Sequence, residues 1–312
     1  MMKDLLLIVN PRAGQRRVNR FLTDIVSLFN QNGWRTEVYV TGAPGDGRKY
    51  IESRKIAWNM IVCAGGDGTL NETIAGTRAA GLNCPLGYIP CGTTNDYASS
   101  IGLSTDVLQA ARDIVDGTPR TFDVGSFNGR SFVYTATCGA FARASYSTPQ
   151  AAKNVLGHLA YVLEGIKDLT TIKPIRMRVE ANGSVLEDDF LFCSITNSTS
   201  VGGILKLDSS LVALNDGRFE VTLVRNPINA QQLSTILLGL TTMELPNEMI
   251  YFFSADRIHV QTEPPVEWTL DGERADEVGD VILENHHNAT RIILPQDGLE
   301  TIFDPEEGLP EA

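Results

Sequence analysis

Ala64-Gly65-Gly66-Asp67-Gly68-Thr69-Leu70-Asn71-Glu72 places three glycines in four positions around a single acid. Glycine lets backbone N–H groups approach a ligand closely and adopt φ > 0. A helix that starts directly after such a turn adds unpaired N–H donors and its positive dipole end, a natural seat for phosphate. The carboxylate of Asp67 belongs in that seat only beside a cation, so the stretch reads as a site for a magnesium nucleotide. An ordinary Gly-Asp-Gly turn is the competing reading, and the rest of the chain weighs against it.

The elements around this stretch fit the chemistry. Asn59-Met60-Ile61-Val62-Cys63 reads as a buried strand before it, and Thr69 to Ala80 as a helix after it with Leu70 and Ile74 inward. Leu5 to Asn10 is another apolar strand, ending at Pro11-Arg12-Ala13-Gly14, a second loop of the phosphate-binding type. Phe21, Leu22, Ile25, Val26, Leu28 and Phe29 keep helical spacing until Asn32-Gly33 stops them. Thr36 to Thr41 alternates as a strand and runs into the glycine-rich loop 42–47. Pro85 to Ile89 leads into Pro90-Cys91-Gly92-Thr93-Thr94-Asn95-Asp96, and Val107, Leu108, Ala111, Ile114 and Val115 mark one more helix. Strand and helix alternate, so residues 1–120 are expected to form a layered parallel α/β domain with its loops gathered at the C-terminal edge of the sheet.

Near Arg120 the pattern changes. Thr121 to Thr137 and Arg176 to Ser194 each read as two strands around Asn-Gly, at Asn128-Gly129 and Asn182-Gly183. Arg218 to Arg225, Met249 to Phe253 and Arg257 to Thr262 are further strands, and Val155, Leu156, Leu159, Val162, Leu163 and Ile166 mark a long helix. Residues 121–290 are therefore expected to be a β-rich, sandwich-like second domain. The segment 291–312 follows a last strand, Ala289 to Pro295, that can return to either domain.

Composition narrows the function. The chain has 312 residues, of which 43% are hydrophobic and 21% charged, as in ordinary globular proteins. No apolar run reaches the ~18–20 residues of a membrane span, and the first ten residues read as the opening strand of a cytosolic fold rather than a signal peptide. The five cysteines, Cys63, Cys84, Cys91, Cys138 and Cys193, lack a CxxC and suggest buried thiols in a reducing compartment. A net charge of −12 argues against nucleic acid. It also opposes anionic membranes, so interfacial binding has to use a local basic patch; Arg12, Arg16, Arg17 and Arg20 form the densest one, with a merely solvated face as the alternative.

Read in order, Asn10-Pro11-x-x-Gly14, Gly65-Gly66-Asp67-Gly68-Thr69-x-Asn71-Glu72, Gly92-Thr93-Thr94-Asn95-Asp96, Val201-Gly202-Gly203, Asn215-Asp216-Gly217 and Asp271-Gly272-Glu273 form a series. It resembles the soluble bacterial diacylglycerol kinases, of the lipid-kinase family that shares a catalytic domain with sphingosine and ceramide kinases. The match runs from residue 5 to about residue 300. Tyr146-x-x-Pro149 with Leu156-Gly157-His158-Leu159-Ala160-Tyr161 resembles the diacylglycerol branch. Gly-Gly-Asp-Gly-Thr alone is shared with NAD kinases and phosphofructokinases; six motifs in sequence are far more specific.

The resemblance implies an NAD kinase/diacylglycerol kinase-like fold and transfer of the ATP γ-phosphate to 1,2-diacylglycerol, giving phosphatidic acid in phospholipid metabolism. ATP would lie against Asn10, Pro11, Arg12, Ala13 and Gly14, with Thr41 beside the base or ribose. Gly65, Gly66, Asp67, Gly68, Thr69, Leu70 and Asn71 would surround the phosphates, with Thr93 and Thr94 closing the other side. Asp67 and Asp96 would hold Mg²⁺, helix capping by Asn95-Asp96 being the alternative. Glu273 would be the general base, facing the phosphate loops across the interdomain cleft, with Asp271 as the competing base. A structural cation would sit on Asp216 and the carbonyls of Ala213 and Arg218, although Ser210 and Ala213 depart from the family's usual Pro and Lys. A plain hairpin turn is the other reading of Asn215-Asp216-Gly217.

The implied location is cytoplasmic, peripheral at the inner face of the membrane where the lipid resides, with no nucleic-acid partner and a homodimer left open. Rival activities are a kinase for phosphatidylglycerol, a long-chain base or a polyprenol, an NAD kinase, and a nucleotide-binding regulator without chemistry. No Gly-Thr-Ala-Tyr-like segment of the NAD kinases occurs in the β domain. Both Asp67 and Glu273 are present, against the non-catalytic reading.

Overall fold

The computed structural model describes residues 2–54, 56–93, 95–139, 173–198, 200–201, 205–206, 212–242 and 245–296. The predicted helix at Val155 to Ile166, the Tyr146 to Tyr161 signature, Gly202, Gly203, Ser210 and Thr94 lie outside the described residues. The chain divides into two units, Met1–Asp123 with Asn288–Ala312, and Val124–His287.

In the first unit, the apolar runs of β1, β3 and β4 become buried strands, the edge strand β2 alternates and stays partly exposed, and glycine turns release the chain into helices. β1 (Lys3–Val9) leads through a 3₁₀ stretch (Ala13–Arg20) to α1 (Leu22–Gln31) and β2 (Trp34–Val40). α2 (Asp46–Ser53), β3 (Met60–Gly65), α3 (Asp67–Ala79), β4 (Leu86–Pro90), α4 (Asp96–Ser100) and α5 (Val107–Asp116) follow. The strands are parallel in the order β4-β3-β1-β2, with Leu5 opposite both Thr36 and Met60, and Ile61 opposite Leu86. Ile25 and Phe29 of α1 and Ile114 of α5 pack on Leu5, Leu7, Val62 and Ile89 of the sheet. All the strand-to-helix loops therefore leave the same edge.

The second unit is mostly antiparallel. It contains β5 (Thr118–Phe127), which enters from the first unit, then β6 (Arg130–Phe132), β7 (Thr135–Gly139), β8 (Ile175–Ala181) and β9 (Ser184–Thr196). The short strands β10 (Ser200–Val201) and β11 (Leu205–Lys206) pair with each other. β12 (Phe219–Arg225), α6 (Ala230–Thr242), β13 (Ile250–Ala255), β14 (Arg257–Leu270) and β15 (Glu273–Leu294) complete it. Both Asn-Gly turns put two successive residues at φ > 0, at +46° and +83° for Asn128-Gly129 and +51° and +74° for Asn182-Gly183. That is the hairpin geometry Asn-Gly favours, and it fixes the register of the strands on either side.

β9 and β14 are long enough to serve twice. Each pairs with β8 along its outer half and with β7 along its inner half. The enclosed core gathers Trp268, Phe132, Phe190, Phe219 and Val260, with Phe127 edge-on to Trp268 at 5.2 Å. The end of β15 belongs to the first unit, where Ile292 pairs in parallel with Leu86 of β4.

Candidate active site

Four loops meet at the C-terminal edge of the first unit's sheet. After β1, Asn10 donates from Nδ2 to Thr69 Oγ1 at 3.2 Å, and its Oδ1 accepts from Arg12 N at 3.0 Å. Gly14 has φ +46°, and a Cβ there would stand 1.8 Å from the carbonyl oxygen of Cys91, so the first loop seats on the fourth only as glycine. After β3, Gly66 is the residue before α3, and Asp67 opens the helix. A Cβ on Gly92 would lie 2.7 Å from Gly66 Cα, so the third and fourth loops also touch backbone to backbone.

Thr41, after β2, is held by N–H and hydroxyl donation to the Val9 carbonyl, at 2.9 and 3.3 Å. The next turn is tied down by acids. Asp46 Oδ2 accepts from Gly42 N and Ala43 N, both at 2.9 Å, and Glu72 Oε1 accepts from Gly45 N at 2.6 Å. These amides are committed to side chains of the protein, so this loop shapes the site rather than cradling phosphate.

Asp67 is the hub of the constellation. Its Oδ1 accepts from the Tyr88 hydroxyl and its Oδ2 from Asp96 N, each at 3.1 Å. The bond from Asp96 N links the starts of α3 and α4, so the two acids stand on adjoining loops. Burial pushes the Tyr88 phenol well above its usual range, and the charge of Asp67 adds to this, so the phenol stays protonated and donates. Burial likewise raises the Asp96 carboxyl, a charge that a nearby cation would relieve. Asn95 is in the left-handed region at φ +52° and clasps Gly92, accepting from its N–H at 2.7 Å and donating to its carbonyl at 3.1 Å. Two acids, helix-terminal amides and oxygen donors suit a hard cation shared with phosphates. Among the described residues no cluster of three or more His, Cys, Asp or Glu forms a metal site of its own.

The Asp271-Gly272-Glu273 turn separates its two acids by environment. Asp271, at φ +49° and 6% exposed, accepts from three successive amides: Val133 N at 2.8 Å, Tyr134 N at 2.9 Å and Thr135 N at 3.1 Å. Glu273 begins β15 and is exposed. In the same unit Asp216 Oδ1 accepts from Arg218 N at 2.9 Å, and burial raises this half-buried carboxyl. Asn285 Nδ2 donates to the Arg218 carbonyl at 3.0 Å, and His287 Nε2 lies 2.7 Å from the Asn215 carbonyl, which requires the proton on that nitrogen. Ala213 is half-buried in the same loop.

Sequence reasoning passed over Tyr88 and Asp46, and saw Glu72 only as part of a motif. The one signal for Tyr88 was a phenol inside an otherwise apolar strand, two residues before the fourth loop.

Residues 4–127 match the model of the diacylglycerol kinase catalytic domain, and residues 134–293 that of the YegS C-terminal NAD kinase beta sandwich-like domain. The two matches define the class: a kinase catalytic unit followed by an NAD kinase-type β sandwich. A diacylglycerol kinase of Bacillus subtilis is 30% identical over 308 residues, covering 97% of this chain and 100% of that protein. One from Staphylococcus haemolyticus is 29% identical, covering 88% and 83%. A crystal structure of a diacylglycerol kinase from Bacillus anthracis shares the fold with a TM-score of 0.71 over 94% of this chain and 97% of that one, at 24% identity. The chain belongs to the diacylglycerol kinase family. As a member of a kinase family it uses ATP. Among the described residues no helix is long and apolar enough to cross a membrane.

Proposed function

We propose that the protein transfers the γ-phosphate of ATP to the free hydroxyl of 1,2-diacylglycerol, releasing phosphatidic acid and ADP, at the inner surface of a membrane. Asn10 to Gly14, Gly65 to Asn71 and Thr93 with Thr94 bind the nucleotide beside Thr41, and Asp67 with Asp96 positions Mg²⁺, which would neutralise charge on the transferring phosphoryl group. The observation that carries this reading is the hydrogen bond from Asp96 N to Asp67 Oδ2, which joins the start of α4 to the start of α3 and sets the two acids on adjoining loops.

Glu273 accepts the proton of the lipid hydroxyl as the new P–O bond forms. It is exposed and so available, whereas the lone pairs of Asp271 are directed at the 133–135 amides. Asp271 therefore acts as a positioning residue. Asp216 holds a structural cation with the carbonyl of Ala213 and the second lone pair of the Arg218 carbonyl. Its burial-raised carboxyl supports this, since a cation offsets the cost of that half-buried charge. The exposed Arg12, Arg16, Arg17 and Arg20 draw the acidic chain to anionic lipid.

The test is an assay with γ-labelled ATP, Mg²⁺ and detergent-dispersed diacylglycerol. The expected product is labelled phosphatidic acid. Label transferred to NAD, or to a long-chain base or polyprenol in preference to diacylglycerol, overturns the assignment.

A further inference from the structure

From Asn226 to Thr242 the chain carries no charged side chain, although 21% of its residues are charged and its net charge is −12. Helix α6 occupies most of that stretch. Its inner face is buried through Leu233, Ile236, Leu237 and Leu240. On the outside Leu238 is 58% exposed, and Ile228, two residues before the helix, is 76% exposed. Surface helices ordinarily place charged or strongly polar residues on the outer face.

The hydroxyl side chains of this helix are bonded internally, as those of Thr73 and Thr77 are in α3. Ser234 Oγ donates to the Ala230 carbonyl at 2.9 Å, Thr235 Oγ1 to that of Gln231 at 3.2 Å, and Thr242 Oγ1 to that of Leu238 at 2.9 Å. Each hydroxyl is folded back onto the carbonyl four residues earlier, the arrangement that satisfies such groups without water. At the helix start Gln232 N donates to Asn229 Oδ1, and Ile228 N to Gln232 Oε1, both at 2.9 Å. The exposed face is thus uncharged: Ile228 and Leu238 are aliphatic, Ser234 and Thr242 are hydroxyls bonded within the helix, and Asn229 and Gln231 are amides.

We infer that α6, together with Ile228, is a docking face that lies in the interfacial layer of a lipid bilayer. Protein partners are usually recognised through directed hydrogen bonds and a polar rim. At a bilayer interface a helix lies in the plane of the membrane with its aliphatic side chains inserted and its polar groups at headgroup level. The stretch is also where this acidic chain can approach a lipid surface without bringing a carboxylate to it. The inference rests on the proposed lipid-kinase reading, whose substrate stays in the bilayer and has to be met there.

The test uses the full chain and vesicles of pure phosphatidylcholine. Wild type is expected to co-sediment with little dependence on salt. Each aliphatic residue contributes on the order of tenfold to partitioning, so the Ile228→Glu/Leu238→Glu variant should bind on the order of a hundredfold more weakly. Its turnover should fall at least tenfold on long-chain diacylglycerol in those vesicles, yet match wild type on dioctanoylglycerol dispersed as monomer. If the glutamate variant misfolds by circular dichroism, Ile228→Gln/Leu238→Gln takes its place.

Equal sedimentation of variant and wild type overturns the inference, as does an equal loss of turnover on both substrates. Wild-type binding confined to anionic vesicles and abolished by salt assigns docking to the arginine cluster instead. A wild-type dimer that the variant converts to monomer assigns the face to a second copy of the chain. Failure of the kinase reading appears separately, as no transfer to dioctanoylglycerol by wild type.

Discussion

Tyr88 donates its hydroxyl hydrogen to Asp67 Oδ1 at 3.1 Å from within a fully buried strand. The phenol helps fix the rotamer of the acid at the mouth of the glycine loop and so aims its carboxylate. Tyr88→Phe keeps the ring and removes that aim. Turnover should fall roughly tenfold, and the Mg²⁺ concentration for half-maximal rate should rise, with little change in KM for ATP. Asp67→Asn, which removes the charge itself, should cost about a thousandfold or more in turnover with a much smaller effect on melting. Near-wild-type turnover of the asparagine variant at saturating Mg²⁺ would refute the assignment.

The two acids of the Asp271-Gly272-Glu273 turn should separate cleanly by readout. Glu273→Gln should lower turnover by a factor on the order of 10²–10⁴ and leave the melting temperature unchanged. Asp271→Asn replaces one acceptor oxygen with an amide donor facing the 133–135 N–H groups, and should cost about 2–3 kcal/mol of stability. Urea denaturation beside steady-state kinetics measures both. The roles are reversed if Asp271→Asn alone abolishes turnover in a stably folded protein.

Asp216 makes a prediction with a defined sign. Its carboxyl titrates higher in the folded protein than in the unfolded chain, so the folded state favours the protonated form. Its contribution to stability is complete below the unfolded value and is lost as pH rises through the raised folded value. At neutral pH and without divalent ions, Asp216→Asn should therefore melt at the same temperature as wild type or higher. With millimolar Mg²⁺, wild type should gain stability and the variant should not. A Mg²⁺-induced rise in melting that is equal in both proteins places the ion elsewhere.

Reversing Arg16 and Arg17 together should weaken sedimentation with anionic vesicles tenfold or more, at roughly 1 kcal/mol per basic residue. Binding should also become less sensitive to salt, because the screened attraction has been removed. Arg17 also donates to the Thr105 carbonyl at 3.2 Å, so melting is measured alongside. Unchanged sedimentation of the double variant would leave the cluster as a solvated face.

Much of the first unit was legible because β1, β3 and β4 are unbroken apolar runs that lead into glycine-containing loops, and the edge strand β2 alternates. The pattern gave no sign of α2 or α4, which are eight and five residues long and too short for a period to register. α6 carries Leu233, Ile236, Leu237 and Leu240 at helical spacing, but its outer face holds Gln, Ser and Thr in place of the charges that sharpen an amphipathic pattern. Of β15 only the last few residues were read as strand; the stretch from Glu273 to Glu284 is rich in acids and buries only Ala275, Val281 and Leu283, so apolar alternation is faint. The glycine loops and their acids are local and could be read from spacing. The bond from Tyr88 to Asp67 spans 21 residues and those from Val133, Tyr134 and Thr135 to Asp271 span 136 to 138, distances at which a sequence pattern carries no signal.

The path of β15 has a consequence for how the protein is made. The second unit is one contiguous segment, whereas the first begins the chain and is completed by residues after His287. Until Ile292 leaves the ribosome, β4 lacks its neighbour and the sheet that carries the glycine loops keeps an unsealed edge. Synthesis from the N-terminus therefore delivers the inserted unit whole before the nucleotide-binding sheet can close. A ribosome that stops at residue 287 therefore yields the whole second unit attached to a sheet whose β4 edge is still open.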